Sequence, residues 1–570
     1  MTPAIVRREV PRAAADLARG GVDPVLARLY AARGVAAVDE LDCSLARLPP
    51  PDGMMNLDRA GERLADAIVR RERVVVVADY DADGATACAI ALRALAAMGA
   101  DVRFVVPNRF EHGYGLTPPI IDIAASMGAR LVVTVDNGIA SVEGVAAAAA
   151  RGIDVLITDH HLPGDTIPSP AIVVDPNQPG CAFVSRHVAG VGVMFYVLAA
   201  TRAALRARGR GEESLPALAG LLDLVALGTI ADVVRIDRVN RILVDQGLRR
   251  IRAGRAQPGL AALFAVAGRD PAQASVADLG YVAGPRVNAA GRLADMSIGI
   301  RLLATDDERE ALALARELDR MNRERRDIEA TIVDEALAGL DDWDATAAGR
   351  ASVCAFRPTW HPGVVGIVAS RIKDRVHRPV VVFAPGSDGE VRGSGRSIAG
   401  FHLRDALDLV SKRHPGLLRR FGGHAMAAGA TLDPDSVDTF DQALQQVARE
   451  WLGADELLRT VSTDGPLPVE YYTADTVQRI DAQVWGQGFE VPVFCDEVEV
   501  LQQRLVADKH LKLRVRLAAA ARASLAPREA IWFSHTEPLP ARVRLAYRLS
   551  LDEFQGQQRL QMVVEAAVAA

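Results

Sequence analysis

From residue 74 onward the sequence alternates short β-branched runs with longer stretches rich in alanine and leucine. The short runs are almost continuously apolar, which is typical of parallel strands buried on both faces of a sheet. They are VVVVA (74–78), VRFVV (102–106), LVVTV (131–135), DVLIT (154–158) and AIVV (171–174). Helices between parallel strands imply right-handed crossovers. The pattern therefore predicts a doubly wound α/β domain over residues 51–304.

The rest of the chain predicts three further parts and a helical N-terminal segment over residues 1–50. Residues 305–342 combine helically spaced apolar positions with dense charge, which predicts a long connecting helix. A second, smaller α/β domain is predicted over 343–454, where strand-like runs precede two glycine-rich runs. From 455 to 570 several short β segments predict a small barrel or sandwich.

Composition and charge narrow the possible functions. With 570 residues, 50% of them hydrophobic, the chain is long enough for three to four folded domains of about 150 residues. The net charge of −6 gives no global attraction for nucleic acid, so such a site has to be local. Residues 501–570 carry eleven Lys/Arg against six Asp/Glu, a local excess of positive charge.

The cysteines and the N-terminus indicate a compartment. The five cysteines are scattered without a Cys-x-x-Cys spacing, which excludes a disulfide framework and a thiolate zinc site and favours a reducing cytoplasm. Neither a signal peptide nor a membrane-spanning segment is expected, because the first 20 residues lack an apolar core and no uncharged stretch reaches about 18 residues.

Acidic residues fall directly after three of the predicted strands. The strings are DYDADG (79–84), DNG (136–138) and DHH (159–161). Parallel strands deliver their carboxyl ends to one edge of the sheet, so the three strings should converge on one site. Clustered carboxylates repel one another unless cations compensate, and oxygen ligands with one or two imidazoles suit Mn²⁺ or Mg²⁺ better than Zn²⁺.

This site predicts phosphoester hydrolysis, since two divalent ions about 3.5–4 Å apart can activate water and stabilise both oxygens of an in-line displacement. A calcium loop is the alternative for the first string, but it requires glutamate at position 12, where this chain has Ile90. Taken singly, the other two strings would be an ordinary turn and an ordinary loop or core pair. Their joint placement after consecutive strands favours the metal site.

The strings DYDADG, VDNG, TDHH and ALGTIADVV resemble those of the DHH phosphoesterase family. VPNRFEHGYGL, GPRVNAAGRL, WHPGVVGIVASRI, GSGRS and FGGHAMAAG are similar to motifs of the single-strand-specific DNA exonucleases within that family. The resemblance runs from about residue 60 to the C-terminus. It implies a DHH domain, a second α/β domain of the DHHA1 type and a barrel like the oligonucleotide-binding (OB) fold. The chain departs from the family pattern at two positions, with Ala78 where glycine is usual and Arg235 where proline is common. Neither position is an expected metal ligand.

The resemblance also implies the site residues. Metal ligands would be Asp81, Asp83, Asp136, His160 and Asp232, with Asp136 a bridge between ions. Asp79 either adds a ligand or supports its loop, and His161 either contacts the scissile phosphate or its water. Asp81, Asp136, His160 and His161 are the expected catalytic groups. On the sequence alone, Asp232 could equally be a buried cap at the end of a helix.

Nine further residues are implied to hold the substrate backbone or a terminal phosphate. Arginine forks can bind phosphate bidentately, and glycine lets a substrate backbone approach closely. Without the resemblance, the arginines could be solvent-facing and the glycines part of a turn. The nine residues are Arg109, Arg286, Asn288, Arg292, His361, Ser394, Arg396, Gly423 and His424.

Four aromatic residues in the barrel region could stack on bases or could equally belong to its core. They are Trp532, Phe533, Tyr547 and Phe554.

The function implied is a metal-dependent exonuclease that degrades single-stranded DNA 5′→3′ to 5′-mononucleotides in recombination and repair. The family resemblance adds work alongside a single-strand-binding protein and a helicase. The chemistry of the clustered ligands predicts two ions, Mn²⁺ or Mg²⁺, and the protein is expected to act as a monomer. One alternative is a phosphodiesterase of dinucleotides, short RNA or a cyclic dinucleotide, which would not need a basic barrel. Another is a catalytically silent DNA-binding scaffold, which would be expected to have lost metal ligands that are all present here.

Overall fold

The computed structural model describes residues 3–107, 115–338, 350–386, 389–518, 526–554 and 557–570. The chain divides into two compact units. The larger unit comprises Val10–Asn322 and Asp475–Val491, and the smaller unit comprises Met1–Glu9, Arg323–Ala474 and Pro492–Ala570.

The described residues form strands β1 (Ala4–Arg7), β2 (Arg73–Ala78), β3 (Asp101–Val105), β4 (Leu131–Val135), β5 (Asp154–Thr158), β6 (Ile172–Val174), β7 (Val353–Phe356), β8 (Val380–Pro385), β9 (Val391–Arg396), β10 (Arg420–Gly423), β11 (Ala427–Leu432), β12 (Thr460–Thr463), β13 (Phe494–Val506), β14 (His510–Leu517), β15 (Arg528–Trp532), β16 (Arg542–Phe554) and β17 (Gln557–Ala569).

They also form helices α1 (Ala13–Arg19), α2 (Pro24–Ala31), α3 (Leu57–Arg70), α4 (Ala82–Ala97), α5 (Pro118–Ser126), α6 (Val142–Ala150), α7 (Gly190–Ala207), α8 (Leu222–Ala231), α9 (Arg238–Arg252), α10 (Pro258–Val266), α11 (Val276–Asp278), α12 (Gly284–Leu293), α13 (Ser297–Ala304), α14 (Glu308–Ala338), α15 (Val365–Val376), α16 (Leu403–Arg413), α17 (Val437–Trp451) and α18 (Ala474–Asp481).

The larger unit is built on a five-stranded parallel sheet in the order β3-β2-β4-β5-β6. Residues alternate between its two faces, and Val75 and Val77 pack with α5 and α6 while the neighbouring valines face the other way. The predicted doubly wound fold is confirmed. The chain leaves β2 toward β3 and then returns to β4, so strand order reverses between β2 and β4. In such sheets ligands bind at the carboxyl ends of the strands on either side of that reversal.

The smaller unit contains a mixed sheet in the order β10-β11-β9-β8-β7. Both glycine-rich runs contain strands, β9 in the first and β10 and β11 in the second. In β9 the glycines leave room for neighbouring side chains. A Cβ on Gly393 would lie 2.4 Å from Phe383, and one on Gly395 would lie 2.6 Å from Leu403. The long predicted helix is α14, which ends at Ala338 in the described part.

The C-terminal strands close into a barrel in the order β13-β14-β15-β17-β16. The barrel form of the prediction is therefore confirmed. Tyr547 belongs to its core, where its hydroxyl bonds the carboxylate of Asp496 at 2.7 Å. Phe533 is 53% exposed and so remains available to a ligand, whereas Trp532 is half-buried and its ring stacks on His535 at 3.6 Å. The side chain of Phe554 lies outside the described residues.

Two apolar stretches of the described chain, Gly190–Ala207 and Glu212–Ala231, meet the length and composition expected of a membrane span. In each, 67% of the window is buried inside the protein, as in core helices of a globular unit. They are therefore weak indications of a membrane segment.

Candidate metal centre and substrate-binding face

The first acidic string forms the turn between β2 and α4. Asp81 is the N-cap of α4, and its carboxylate accepts hydrogen bonds from the backbone N–H groups of Asp83 at 2.9 Å and Gly84 at 3.0 Å. Gly84 is required by a close approach, since a Cβ there would lie 2.7 Å from the carbonyl oxygen of Asp79. The tight turn places three carboxylates within five residues of the end of β2.

Asp83 is buried and is oriented by the start of another helix. Its carboxylate oxygens accept the backbone N–H groups of Gly190 at 2.7 Å and Val191 at 2.9 Å. These residues open α7, whose positive N-terminal dipole favours a carboxylate. Asp83 therefore joins the first acidic string to α7.

Asp136 follows β4 and lies directly across the strand reversal from the first string. Its backbone is left-handed, with a φ of 62°. The side-chain amide of Asn137 donates to the carbonyl oxygens of Val77 at 3.1 Å and Val135 at 2.9 Å, which ties the ends of β2 and β4 together. The carboxylate of Asp136 is thereby held in the buried crevice between those strands.

The third string follows β5, and its aspartate organises both histidines. Asp159 accepts the backbone N–H of His160 at 2.8 Å and contacts Nδ1 of His161 at 2.7 Å. The amide of Asn177 donates to the carbonyl oxygen of His160 at 2.7 Å. These bonds fix the two imidazoles at the edge of the same crevice.

The candidate ligands converge around His160. Its Nε2 lies 3.1 Å from a carboxylate oxygen of Asp136, 3.5 Å from one of Asp232 and 3.8 Å from one of Asp83. Asp232 is the C-cap of α8 and not merely a helix end, because it reaches this cluster. Asp79 and Asp81 form a further group with Asp136, in which one ligand atom from each lies within 4.8 Å of the others.

The cluster fits a divalent cation by its unsatisfied atoms. Among the described residues, Oδ1 of Asp79, Oδ1 of Asp136 and Nε2 of His160 are buried and make no hydrogen bond. Buried polar atoms without partners are costly, so their grouping at one point fits the binding of a cation.

The protonation states agree with this interpretation. Burial, together with the charges of neighbouring aspartates, raises the pKa of Asp136 and Asp232 well above the usual value, and raises that of Asp83 to about 7. Burial and the charge on His161 lower the pKa of His160 to about 4, so its imidazole is neutral as metal ligation requires. A divalent cation relieves the repulsion that produces the raised aspartate pKa values.

His161 has the opposite character. Burial would lower its pKa, but the hydrogen bond and the charge of Asp159 outweigh this and raise the pKa to about 9. Burial would raise the pKa of Asp159, yet the bond from His161 lowers it. The pair is therefore an imidazolium held by a carboxylate.

The predicted substrate residues of the larger unit lie in or near α12. The carboxamide oxygen of Asn288 accepts the N–H of Ala82 at 2.8 Å, so Asn288 supports the first acidic string. Arg286 is paired with Asp319 at 2.9 Å and donates to the carbonyl of Val282 at 2.7 Å. Arg292 is half-buried in the last turn of α12. Arg109 lies outside the described residues.

In the smaller unit, Ser394 and Arg396 lie on one face of β9. The guanidinium of Arg396 donates to Oγ of Ser394 at 3.1 Å, and no carboxylate pairs with it among the residues described. Burial lowers the pKa of Arg396. Gly366, in the first turn of α15, lies against both, since a Cβ there would be 2.9 Å from Oγ of Ser394 and 3.1 Å from the guanidinium. A half-buried arginine beside a helix N-terminus is suited to an anion such as phosphate.

A row of glycines without side chains lies beside Ser394 on the same sheet. Gly422 pairs with Gly429, which pairs with Ser394, and residues directly opposite one another share a face of the sheet. Both glycines are exposed, so a ligand can approach the sheet closely beside Ser394. Gly423 instead pairs with Ala428, which faces the core.

The remaining two predicted residues lie in turns. The N–H of His424 donates to the carbonyl oxygen of Ala427 in the β10–β11 hairpin. His361 accepts the N–H of Gly363 at 3.0 Å, in the segment leading to α15.

Sequence reasoning missed several supporting residues of the cluster. Asp175 follows β6 just as the predicted ligands follow their strands, and burial with the charge of Asp159 raises its pKa to about 7. That strand-end position was a readable signal. The sequence gives no comparable signal for Gly190, because the role of this residue is to leave space beside Asp136. A Cβ at Gly190 would lie 2.7 Å from the carboxylate of Asp136.

Three family models match the chain. The DHH family N-terminal domain matches residues 73–229, the DHHA1 domain matches 349–450 and the RecJ OB domain matches 463–566. The single-stranded-DNA-specific exonuclease RecJ of Escherichia coli (strain K12) is 45% identical over 571 residues, covering 98% of each chain. The chain belongs to the RecJ family.

Solved structures of RecJ resemble this chain as well. The crystal structure of RecJ from Thermus thermophilus in complex with Mn²⁺ has a TM-score of 0.82 at 30% identity and covers 100% of this chain and 80% of that one. The structure of RecJ from the same organism in complex with Mg²⁺ has a TM-score of 0.77 at 28% identity, covering 99% and 78%. The RecJ protein of Thermus thermophilus has thus been solved with each of the two metals that the donor set of this chain suits.

Proposed function

We propose that this RecJ family member is a metal-dependent exonuclease that hydrolyses single-stranded DNA 5′→3′ and releases 5′-mononucleotides during recombination and repair. The observation that carries the proposal is the convergence of carboxylates and one neutral imidazole at the strand reversal, with buried ligand atoms that lack hydrogen-bond partners. The E. coli relative named above is a single-stranded-DNA-specific exonuclease, which supplies the substrate class.

Asp79, Asp81, Asp83, Asp136, His160 and Asp232 would hold two Mn²⁺ or Mg²⁺ ions. When bound, the ions supply Lewis-acid polarisation of the phosphate and a water of lowered pKa. The protein's contribution is to fix the ligands: α7 orients Asp83, and the amide of Asn137 holds the turn that carries Asp136.

His161 has a separate task in this proposal. Because Asp159 keeps its imidazole protonated, an N–H of His161 can donate to a phosphate oxygen and stabilise charge that builds up there. Asp159 therefore acts as a positioning residue for His161.

The smaller unit supplies binding that does not depend on base sequence. Arg396 and Ser394 are placed to hold a phosphate, and the glycine row beside them admits a sugar-phosphate backbone. The basic barrel with its exposed Phe533 fits a strand-binding module in which cations meet phosphates and rings stack on bases.

End-labelled oligonucleotides test the function. With Mn²⁺ or Mg²⁺, a 5′-labelled single strand should release labelled mononucleotide at once, whereas a 3′-labelled strand should first shorten progressively. A blunt duplex should resist. Preferential cleavage of dinucleotides over long strands would instead favour the small-substrate phosphodiesterase, and the absence of metal-dependent cleavage would favour a silent scaffold.

Replacing Arg396 by alanine is expected to raise KM for single-stranded DNA on the order of 10- to 100-fold, because a charged hydrogen-bonding group to phosphate is lost. Arg396→Lys should recover only part of the loss, since lysine cannot bind bidentately. Arg392→Ala is the matched control, because Arg392 lies on the same face of β9 but is paired with Glu390 at 2.9 Å. Steady-state kinetics with single strands of several lengths would show the effect. An equal change in both alanine variants would refute the assignment.

In this proposal catalysis falls to residues 51–304 and substrate binding to residues 343–454 and to the barrel strands within 455–570, with the connecting helix over 305–342 and a mainly helical segment at 1–50 that also contains β1. It also includes monomeric action in the cytoplasm, with a single-strand-binding protein and a helicase as partners. The family resemblance supports the two partners, and the scattered cysteines favour the cytoplasm.

A further inference from the structure

Residues 475–491 are a short insertion of the larger unit between two stretches of the smaller one. We call this segment the strap. It begins within α18 and ends in a tight turn in which Gly486 and Phe489 exchange backbone hydrogen bonds of 2.9 and 3.0 Å. The chain thus passes through the larger unit immediately before it enters the barrel strands.

The strap is anchored by a stack of aromatic rings. Trp485 and Phe489 stack on each other at 5.3 Å, and Tyr30 of α2 stacks against both at 5.9 and 6.2 Å. The guanidinium of Arg241 lies 4.9 Å from the ring of Phe489, and that of Arg33 lies 5.1 Å from Trp485. Both strap rings are buried. The turn between them is therefore rigidly held.

That turn lies directly against the loop that carries Asp232. The carbonyl oxygen of Gln487 accepts the N–H of Ile236 at 2.8 Å. A Cβ on Gly486 would lie 2.6 Å from Ile236, and one on Gly488 would lie 2.7 Å from the stem of Arg235. The strap approaches this closely only because both positions are glycine.

The Asp232 loop needs such support because its backbone is strained. Val233 has a φ of 63°, a left-handed conformation that is unfavourable for a β-branched residue, and its side chain is 62% exposed. Burial of Val233 therefore does not stabilise this conformation. A strained backbone conformation of this kind persists only where contacts with the surrounding residues hold it in place. Asn240, which donates to the carbonyl of Arg235 at 2.9 Å, and the strap are among the surroundings that hold the far end of the loop.

We infer that the strap is a positioning element of the metal centre: its Trp485–Phe489 turn holds the strained Asp232 loop so that the carboxylate of Asp232 meets His160. This inference rests on the proposed function, in which Asp232 is a metal ligand. It assigns the residues that lead into the barrel a part in metal affinity, although none of them is a ligand.

Gly488→Ala is the direct test, because alanine disfavours the φ of 72° at this position and crowds Arg235. Mn²⁺ binding should weaken by about tenfold or more, the range for residues that orient metal ligands. Binding is measured without DNA, from the electron paramagnetic resonance signal of free Mn²⁺. Gly254→Ala is the matched control, with a similar φ of 68° but no atom within 4 Å of the added Cβ. It should leave Mn²⁺ affinity unchanged.

A second variant separates positioning from general damage. Val233→Gly removes the strain, so the loop should need less support, and the double variant Val233→Gly/Gly488→Ala should bind Mn²⁺ more tightly than Gly488→Ala alone. If Gly488→Ala does not fold, Phe489→Leu gives the same comparison through loss of the ring that Arg241 covers. Saturating Mn²⁺ should restore much of the nuclease rate in each strap variant.

Asp232→Asn distinguishes a failure of the strap's positioning role from a failure of the proposed metal site. If Asp232→Asn weakens Mn²⁺ binding but the strap variants do not, the strap has only a structural role and the inference is wrong. If Asp232→Asn also leaves Mn²⁺ binding intact, the proposed metal site itself fails.

Discussion

Asp136→Asn is expected to lower the rate of single-strand hydrolysis by about 10³-fold or more and to abolish the rise in Tm that Mn²⁺ gives the wild-type protein. Asp136 takes part in the carboxylate group with Asp79 and Asp81 and also contacts His160 at 3.1 Å, so its loss affects both parts of the cluster. Loss of several kcal/mol of charge stabilisation by metal corresponds to a rate change of this size. Asparagine tolerates the left-handed backbone at this position, so the turn should survive.

The metal-free variant should be at least as stable as the metal-free wild type. In the folded protein burial and neighbouring charges raise the aspartate pKa values, Asp83 to about 7, whereas an unfolded chain has ordinary ones near 4. Below about pH 4 these carboxyl groups are protonated in both the folded and the unfolded protein, so they do not affect the free energy of unfolding. As the pH rises from about 4 to about 7, the unfolded chain loses protons that the folded protein keeps, and the free energy of unfolding falls. Asparagine at 136 removes one of the repelling charges, so the decline in Tm over that interval should be shallower.

Thermal melts with chelator and with Mn²⁺, taken at several pH values, would measure both effects. Asp122→Asn is a suitable control, because Asp122 is an exposed carboxylate of the same unit that pairs with Arg151. Retention of Mn²⁺ stabilisation by the Asp136 variant would remove Asp136 from the metal site.

The parallel sheet and its acidic edge could be predicted because each depends on a local signal. A continuous β-branched run indicates a strand buried on both faces, and a carboxylate directly after it has to lie at the carboxyl edge. Asp136 and His160 meet for this reason although they are separated along the chain. Asp232 follows a helix instead of a strand, so its place in the cluster was implied only by the family resemblance.

Other features depend on partners that are remote in sequence. The glycine-rich run around Ser394 is a strand because Phe383 and Leu403 occupy the space its glycines leave. The family resemblance implies a substrate-binding role for Arg286, and the sequence gives no sign that its guanidinium is bound to Asp319 on α14. Tyr547 could have been a stacking ring, and burial beside Asp496 places it in the core. None of these contacts leaves a periodic trace in the sequence.

Gly190→Ala is expected to reduce the hydrolysis rate by about 10²-fold, which is unusual for the addition of one methyl group. The new Cβ would lie 2.7 to 2.9 Å from the carboxylate and Cβ of Asp136, while the N–H of the same residue holds Asp83. Either Asp136 moves or the start of α7 does, and one of the two carboxylates leaves its place. A displacement of about 1 Å in a reacting site costs on the order of 10²-fold in rate.

Gly192→Ala supplies the comparison that makes this result specific. It lies two residues further along the same helix, and its added Cβ would meet Val188 at 2.5 Å but no residue of the metal cluster. Both variants should lower Tm through crowding in a packed core. Only Gly190→Ala should also weaken Mn²⁺ binding in calorimetry, because only there does the methyl group press on a ligand. If the two variants lose activity in proportion to their loss of Tm, the space at Gly190 serves helix packing, and the geometry of Asp136 tolerates more displacement than its crowded crevice indicates.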